Sequence, residues 1–413
     1  MKNLERTLNI GYGSIFGTYW MIFAAVSSFA SVFMLARGFS NSSIGITLAF
    51  ANVLAVILQP LVADFCDRSK KLGVIGTTEI MTACMMVFTV GMFIFKGGTI
   101  ALCVVFVLLI AFHTVLQPLF NSLAARLDTC GETTNYGVAR AVGSLAYSIF
   151  VAVLGILVEH LGVVMVPMTC EIICALLICS LVFTGSVFKK AKRINEENGK
   201  LEAIRQAAAK RGEDLTAEPE TITLVQFIKR NKMFFVMNLG VIGIFFSNSI
   251  LNNYMAQIVD GVGGSTADMG RILSIMAALE IPALVFFKPL KRRFSCQKLL
   301  KVASIAFTIK IALCWLANTV AMLYVAQLFQ LISFALFLPG MVYFTAETMS
   351  QGEAVKGQAL FTTMITITTI FSSLLGGWLL DVAGSKTLTF IATLATAAGA
   401  ILVIAVIDKI KKK

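Results

Sequence analysis

Twelve separate stretches of this 413-residue chain are apolar for about 20 residues or more, and no other feature narrows its possible folds as far. A hydrocarbon core about 30 Å thick takes about 20 helical residues to cross. A backbone inside lipid must satisfy its own hydrogen bonds, so only helices and closed barrels span it. The runs show no period-two alternation, which favours helices over barrel strands. The expected spans are 11–36, 44–65, 72–95, 99–125, 138–159 and 162–187, then 232–258, 268–290, 296–316, 319–346, 355–381 and 386–408. Composition agrees: 58% of residues are hydrophobic, 14% are charged and the mean hydropathy is +0.86. The expected fold class is an all-α polytopic membrane protein with twelve transmembrane helices.

A net charge of +12 could point to nucleic acid, but the placement of the charges argues otherwise. With the N-terminus in the cytoplasm, the inside segments hold 28 of the 34 Lys and Arg residues. The outside loops hold four, Arg37, Lys96, Arg271 and Lys386, and only Arg140 and Lys310 remain of the 34. Such a bias places both termini inside by the positive-inside rule, in a cell membrane. The first apolar run is too long for a signal-peptide core and is expected to be retained. The nine cysteines form no CxxC pair and no Cys/His cluster with zinc spacing, so neither a disulfide framework nor a metal is expected. No nucleotide-binding loop or catalytic triad occurs, and no cofactor or enzymatic activity is expected.

Residues 188–231 are charged and contain Pro219, unlike everything around them. They divide the chain into an expected six-helix bundle at 1–187, a cytoplasmic linker and a second six-helix bundle at 232–413. Equal hydrophobic halves around a linker suggest a fused repeat. Weak internal similarity supports this. The stretch YGVARAVGSLAYSIFVAVLGILVEHLG overlays KGQALFTTMITITTIFSSLLGGWLLDVAG, matching Gly137 with Gly357, Gly155 with Gly377, Glu159 with Asp381 and Gly162 with Gly384. Small residues at such positions also serve close helix packing, whatever their origin.

Polar groups inside the spans carry the functional signal. In the fourth span His113, Gln117 and Asn121 recur every four residues and form one stripe. They form either a hydrogen-bonded seam between helices or the wall of a cavity. Arg140 opens the fifth span and is followed by Ser144, Tyr147 and Ser148 on one face. A guanidinium at a helix centre costs about 2.5–3.5 kcal/mol on insertion scales, although one near a helix end can snorkel. The second half carries Asn248, Asn252, Asn253, Tyr254 and Gln257 in the seventh span, and Gln327, Gln330 and Ser333 in the tenth. Glu280 and Lys310 are opposite charges well inside that half, and an ion pair between them is plausible. The threonines of the eleventh span are expected to bond to their own helix backbone.

The stretch SNSSIGITLAFANVLAVILQPLVADFCDRSKK, residues 40–71, resembles the second helix and following loop of the lactose permease group of the major facilitator superfamily. Gly45, Gln59-Pro60-Leu61, Asp67-Arg68 and Lys70-Lys71 carry the resemblance. It implies two six-helix bundles related by pseudo-twofold symmetry, with Asp67, Arg68, Lys70 and Lys71 gating the cytoplasmic side. PLFNSLAAR followed by YGVARAVGSLAYS resembles the segment in which that permease sets a carboxylate against a substrate-binding arginine. Arg140 falls on the arginine, and Asn121 stands where the carboxylate would be. Glu280 falls near the acid that contacts sugar and proton in that permease, and Lys310 on an arginine. Gln330 and Ser333 replace the proton-handling His and Glu.

The resulting expectation is a monomeric secondary transporter in the lipid bilayer, moving a small polar solute such as a sugar, glycoside or nucleoside by alternating access. Arg140, Asn121, Gln117, Asn252, Asn253 and Gln330 would bind the solute. Glu280 poised by Lys310, with His113 as second choice, would couple transport to protons, and nucleic acid is not a partner. An uncoupled facilitator or exporter of an organic anion is the alternative within transport. A transporter-like sensor using the 188–231 linker is the alternative of another class.

Overall fold

The computed structural model describes residues 2–69, 72–202 and 224–410. Helices account for nearly all of them, in the order α1 Lys2–Phe23, a π-helical turn Ala24–Ser28, α2 Ala30–Ala36, α3 Asn41–Arg68, α4 Gly73–Ile94, α5 Ile100–Asp128, α6 Tyr136–Leu161 and α7 Met165–Glu197. Beyond the linker come α8 Leu224–Arg230, α9 Lys232–Asp260, α10 Thr266–Arg293, α11 Cys296–Leu316, α12 Val320–Leu328, a 3-10 turn Phe329–Leu331, α13 Phe334–Thr348 and α14 Gln351–Ile407.

Ten helical stretches among the described residues are long and apolar enough to cross a membrane, and α10, bent by 52° between Ala283 and Val285, makes an eleventh. The 57-residue α14 is far longer than a bilayer requires. It breaks at Gly384, whose φ of 75° and ψ of 177° are nearly exclusive to glycine, and so provides two spans. That division gives the twelve spans expected from hydropathy. Large apolar side chains such as Val87, Ile100, Phe286 and Ile401 remain exposed, as lipid-facing surfaces require.

Contacts group the chain into two units. The first comprises Met1–Val26, Val53–Tyr147 and Val164–Glu218. In it α1 packs on α7, and α4 on α5 and α7. The α5–α6 loop is tied down by Asn195 of α7, whose Nδ2 donates to the Cys130 carbonyl and to Glu132 Oε1, both at 2.8 Å. Lys200 Nζ donates to the same Glu132 oxygen at 2.8 Å. Burial opposes ionisation of Glu132, but the bonds from Lys200 and Asn195 outweigh it and hold the carboxyl below its ordinary range.

The second unit comprises Ser27–Asn52, Ser148–Val163 and Pro219–Lys413. Here α9 runs along α14, and at Gly243 a Cβ would lie 2.4 Å from the Ala395 carbonyl. That spacing admits only glycine, and it brings the two backbones together as small residues do in membrane helices. Phe245 stands edge-on to Phe337 and Phe361 at the centre of the core.

Candidate functional site

In the first unit the polar stripe of α5 splits between two neighbours. His113 is buried, its Nε2 lies 3.2 Å from the Tyr19 carbonyl, and its ring stacks on Tyr19 at 4.3 Å and 6°. A carbonyl can only accept, so this contact puts a ring proton on Nε2. Asn121, two turns further on, accepts from the Tyr136 hydroxyl at the start of α6 at 3.3 Å. Gln117 between them is half-buried.

Arg140 is half-buried and lays its guanidinium over the Trp20 ring of α1, with Cζ 4.2 Å from the ring centroid. Its Nη1 donates to Ser144 Oγ, one turn up α6, at 2.8 Å. Tyr147 continues that face and meets Trp20 and Phe23 at centroid separations of 6.5 and 5.9 Å. The cation thus rests against an aromatic wall, which lowers the cost of holding it among apolar side chains. The sequence reading set Arg140 beside the α5 stripe and overlooked Trp20. The indole is uncharged and stands in an apolar run, so neither charge nor hydropathy marks it in α1.

In the second unit Lys310 is buried at 1% exposure on α11, and its Nζ donates to Gln330 Oε1 at 2.5 Å. Gln330 in turn donates through Nε2 to Glu280 Oε1 on α10 at 3.1 Å. One amide therefore bridges the two charges, its oxygen to the ammonium and its nitrogen to the carboxylate. Gln330 reaches this position because the helix is interrupted. The 3-10 turn at Phe329–Leu331 and the non-helical Ser333, at φ −99° and ψ −97°, separate α12 from α13. Beside the bridge, Gln327 Oε1 and Ser333 Oγ are buried without a hydrogen-bond partner. Broken helices inside a membrane are tolerated where they are buried in protein or line a cavity.

α9 carries the remaining predicted residues. Asn253 Nδ2 donates to Ser373 Oγ of α14 at 3.0 Å, and Asn252 is half-buried. Ser249 and Thr369 pair at 3.2 Å. The helix departs from helical geometry at Tyr254, whose hydroxyl donates to the Ser373 carbonyl at 2.5 Å. Thr362, Thr366, Thr368 and Thr369 donate to the carbonyls four residues earlier.

Of the expected gating residues, Arg68, the last residue of α3, donates to Asp64 Oδ1 one turn earlier at 2.8 Å on an exposed surface. The Asp67 side chain, Lys70 and Lys71 lie outside the described residues.

Comparison with known proteins supplies the frame for these clusters. The crystal structure of the nucleoside transporter NupG matches with a TM-score of 0.70 at 16% identity, covering all of both chains. A POT family transporter in complex with a thioalcohol-conjugated peptide matches at 0.65 and 12%, covering 100% of this chain and 97% of that one. A bacterial homolog of the human lysosomal transporter Spinster matches at 0.60 and 12%, covering 99% and 96%. Identities this low establish a shared fold and no more. Among curated protein sequences none matches. The profile of the MFS_1 like family matches residues 12–392. With the helical fold described above, that match over most of its length shows that the chain belongs to the MFS_1 like family, of the major facilitator type.

Proposed function

We propose that this protein is a proton-coupled secondary transporter of a small polar, ring-bearing solute of the sugar, glycoside or nucleoside kind. The observation that carries the reading is the Lys310–Gln330–Glu280 chain at the interruption between α12 and α13. A proton taken up by Glu280 would neutralise the carboxylate that accepts from Gln330 Nε2 while the Lys310 ammonium stays on the Gln330 oxygen, so one amide links the protonation of the acid to the buried base. Arg140, Trp20 and Tyr147 supply a cation and aromatic faces, which suit a ring bearing hydroxyl groups. The likeness to a nucleoside transporter makes nucleosides the first solutes to try.

The test uses purified protein in liposomes containing a pH-sensitive dye. Uptake of a nucleoside or glycoside should acidify the lumen, and Glu280→Gln should abolish acidification. Solute counterflow that is independent of pH and unchanged in Glu280→Gln would remove proton coupling. The second reading, an uncoupled facilitator or exporter, is favoured by one feature: the helix interruption carries Gln330 and Ser333 and no carboxylate. Uptake that is indifferent to an imposed proton gradient would select it.

A further inference from the structure

The last segment of α10 is set at an angle to the rest of the helix. Pro282 and Pro289 each remove a backbone donor from the helical ladder, and the axis turns by 52° between Thr266–Ala283 and Val285–Arg293. Beyond the turn the two sides of the segment differ. Phe287 is buried and stacks on Tyr343 of α13 at 5.3 Å and 19°. Lys291, one turn on, bonds Glu347 Oε1 at 2.7 Å and lies over the same Tyr343 ring, 4.1 Å from its centroid. These contacts dock one side of the segment on α13.

The other side is uncovered. Val285, Phe286, Lys288, Arg292 and Arg293 are exposed, and at 3.6 residues per turn they share one face, opposite Phe287. Val285 and Phe286 are each 64% exposed. The face runs from apolar to cationic along its length, with about 9 Å of helix rise between Phe286 and Arg292. None of its three cations has a carboxylate partner among the described residues. The described acids at this end of the second unit are engaged elsewhere: Glu347 with Lys291, Asp408 with Lys301 and Glu353 with Asn231. Charge on the face is left for another molecule to balance.

We propose that the uncovered face of Val285–Arg293 binds an anionic phospholipid, with an acyl chain along Val285 and Phe286 and the phosphate on Lys288, Arg292 and Arg293. Cations that only set topology could stand anywhere in the loop. They would need neither a segment turned from the helix axis nor an apolar half on the same face. An apolar body with a basic end matches the boundary between hydrocarbon and headgroups, where unpaired lysines and arginines meet anionic lipid. Arginine suits the phosphate because two of its N–H groups can bind it at once. A free anion would leave Val285 and Phe286 without a role, and an acidic soluble partner would not reach side chains at the depth of the acyl chains. That the leaflet is the cytoplasmic one rests on the orientation read from the lysine and arginine distribution.

The test titrates the purified full-length protein, in a neutral detergent, with phosphatidylglycerol carrying a fluorophore on one acyl chain. Binding should saturate. Unlabelled phosphatidylglycerol should displace the probe, and phosphatidylcholine, inorganic phosphate and polyglutamate should not. Arg292→Gln combined with Arg293→Gln should raise Kd about tenfold or more, and Phe286→Ser should raise it as well. Lys229→Gln combined with Arg230→Gln removes the same charge from α8 and should change Kd by about twofold at most. Added salt should weaken binding to the wild-type protein, a readout that needs no variant. Equal displacement by phosphatidylcholine would reduce the face to apolar contact and overturn the proposal. Displacement by inorganic phosphate or polyglutamate would overturn it in favour of an anion or an acidic protein. Equal losses in the two charge-removing pairs, or binding indifferent to salt, would overturn it too.

Discussion

A guanidinium held over an indole face while donating to a hydroxyl is a combination that suits arginine. Arg140 places its guanidinium carbon over the Trp20 ring and reaches Ser144 in the same pose. A lysine could keep the charge but would lose the planar face and the spread of donors. If Arg140 only snorkelled toward water, the ammonium would serve as well. The expected outcome for Arg140→Lys is therefore a KM raised about tenfold, equivalent to about 1.4 kcal/mol of binding, with unchanged protein in the membrane. Uptake at the wild-type KM would reduce the arginine to a helix anchor. The residue itself was legible as a charge in an apolar run. Its partner was not, because the i, i+4 logic that picked out the α5 stripe describes one helix at a time, and Trp20 lies on another.

Individual elements show the same divide. The interruption between the last two spans was readable because Gly384 ends a long apolar run beside Ser385 and Lys386. The interruption at Gln330–Ser333 was not, because no glycine or proline stands within it and Pro339 comes six residues later. No local signal in the sequence marks it, and the contact made there, Gln330 to Lys310, joins side chains 20 positions apart. The anchorage of the α5–α6 loop is likewise a long-range event, joining Glu132 to Asn195 and Lys200. It has a pH signature. The folded carboxyl ionises below its ordinary value of 4.5, so its contribution is complete above that value and is lost as pH falls through the lower folded value. Hydrogen bonds to a charged group are worth about 1.5–3 kcal/mol, and less with Lys200 partly exposed. Thermal unfolding of detergent-purified protein should accordingly show Glu132→Gln less stable than wild type at pH 7, with the gap closing below pH 4.5. A gap that stays constant down to pH 3 would mean that the carboxylate contributes by packing alone.

Across the whole molecule, the spans follow from hydropathy because lipid imposes one rule on every segment, whereas capping, bridging and stacking depend on partners up to 340 positions away, as between Asn41 and Asp381. The repeat lies between these extremes. Its glycines and carboxylates can be aligned in sequence, but only the structure shows that Asp381 and Glu159 each accept from backbone N–H groups at the start of another helix. Orientation is the remaining property of the whole chain that the sequence can argue. Each basic residue near an anionic inner leaflet contributes about 1 kcal/mol, and with twelve alternating spans 28 such residues would fall on one side against four on the other. No single substitution should reverse a bias of that size. Thiol labelling in intact cells should therefore modify Lys96→Cys, exposed between α4 and α5, and spare Asn198→Cys, exposed at the end of α7, until the membrane is permeabilised. The opposite pattern would invert the assignment of both faces, and with it the face from which the proposed solute would reach Arg140 and Glu280.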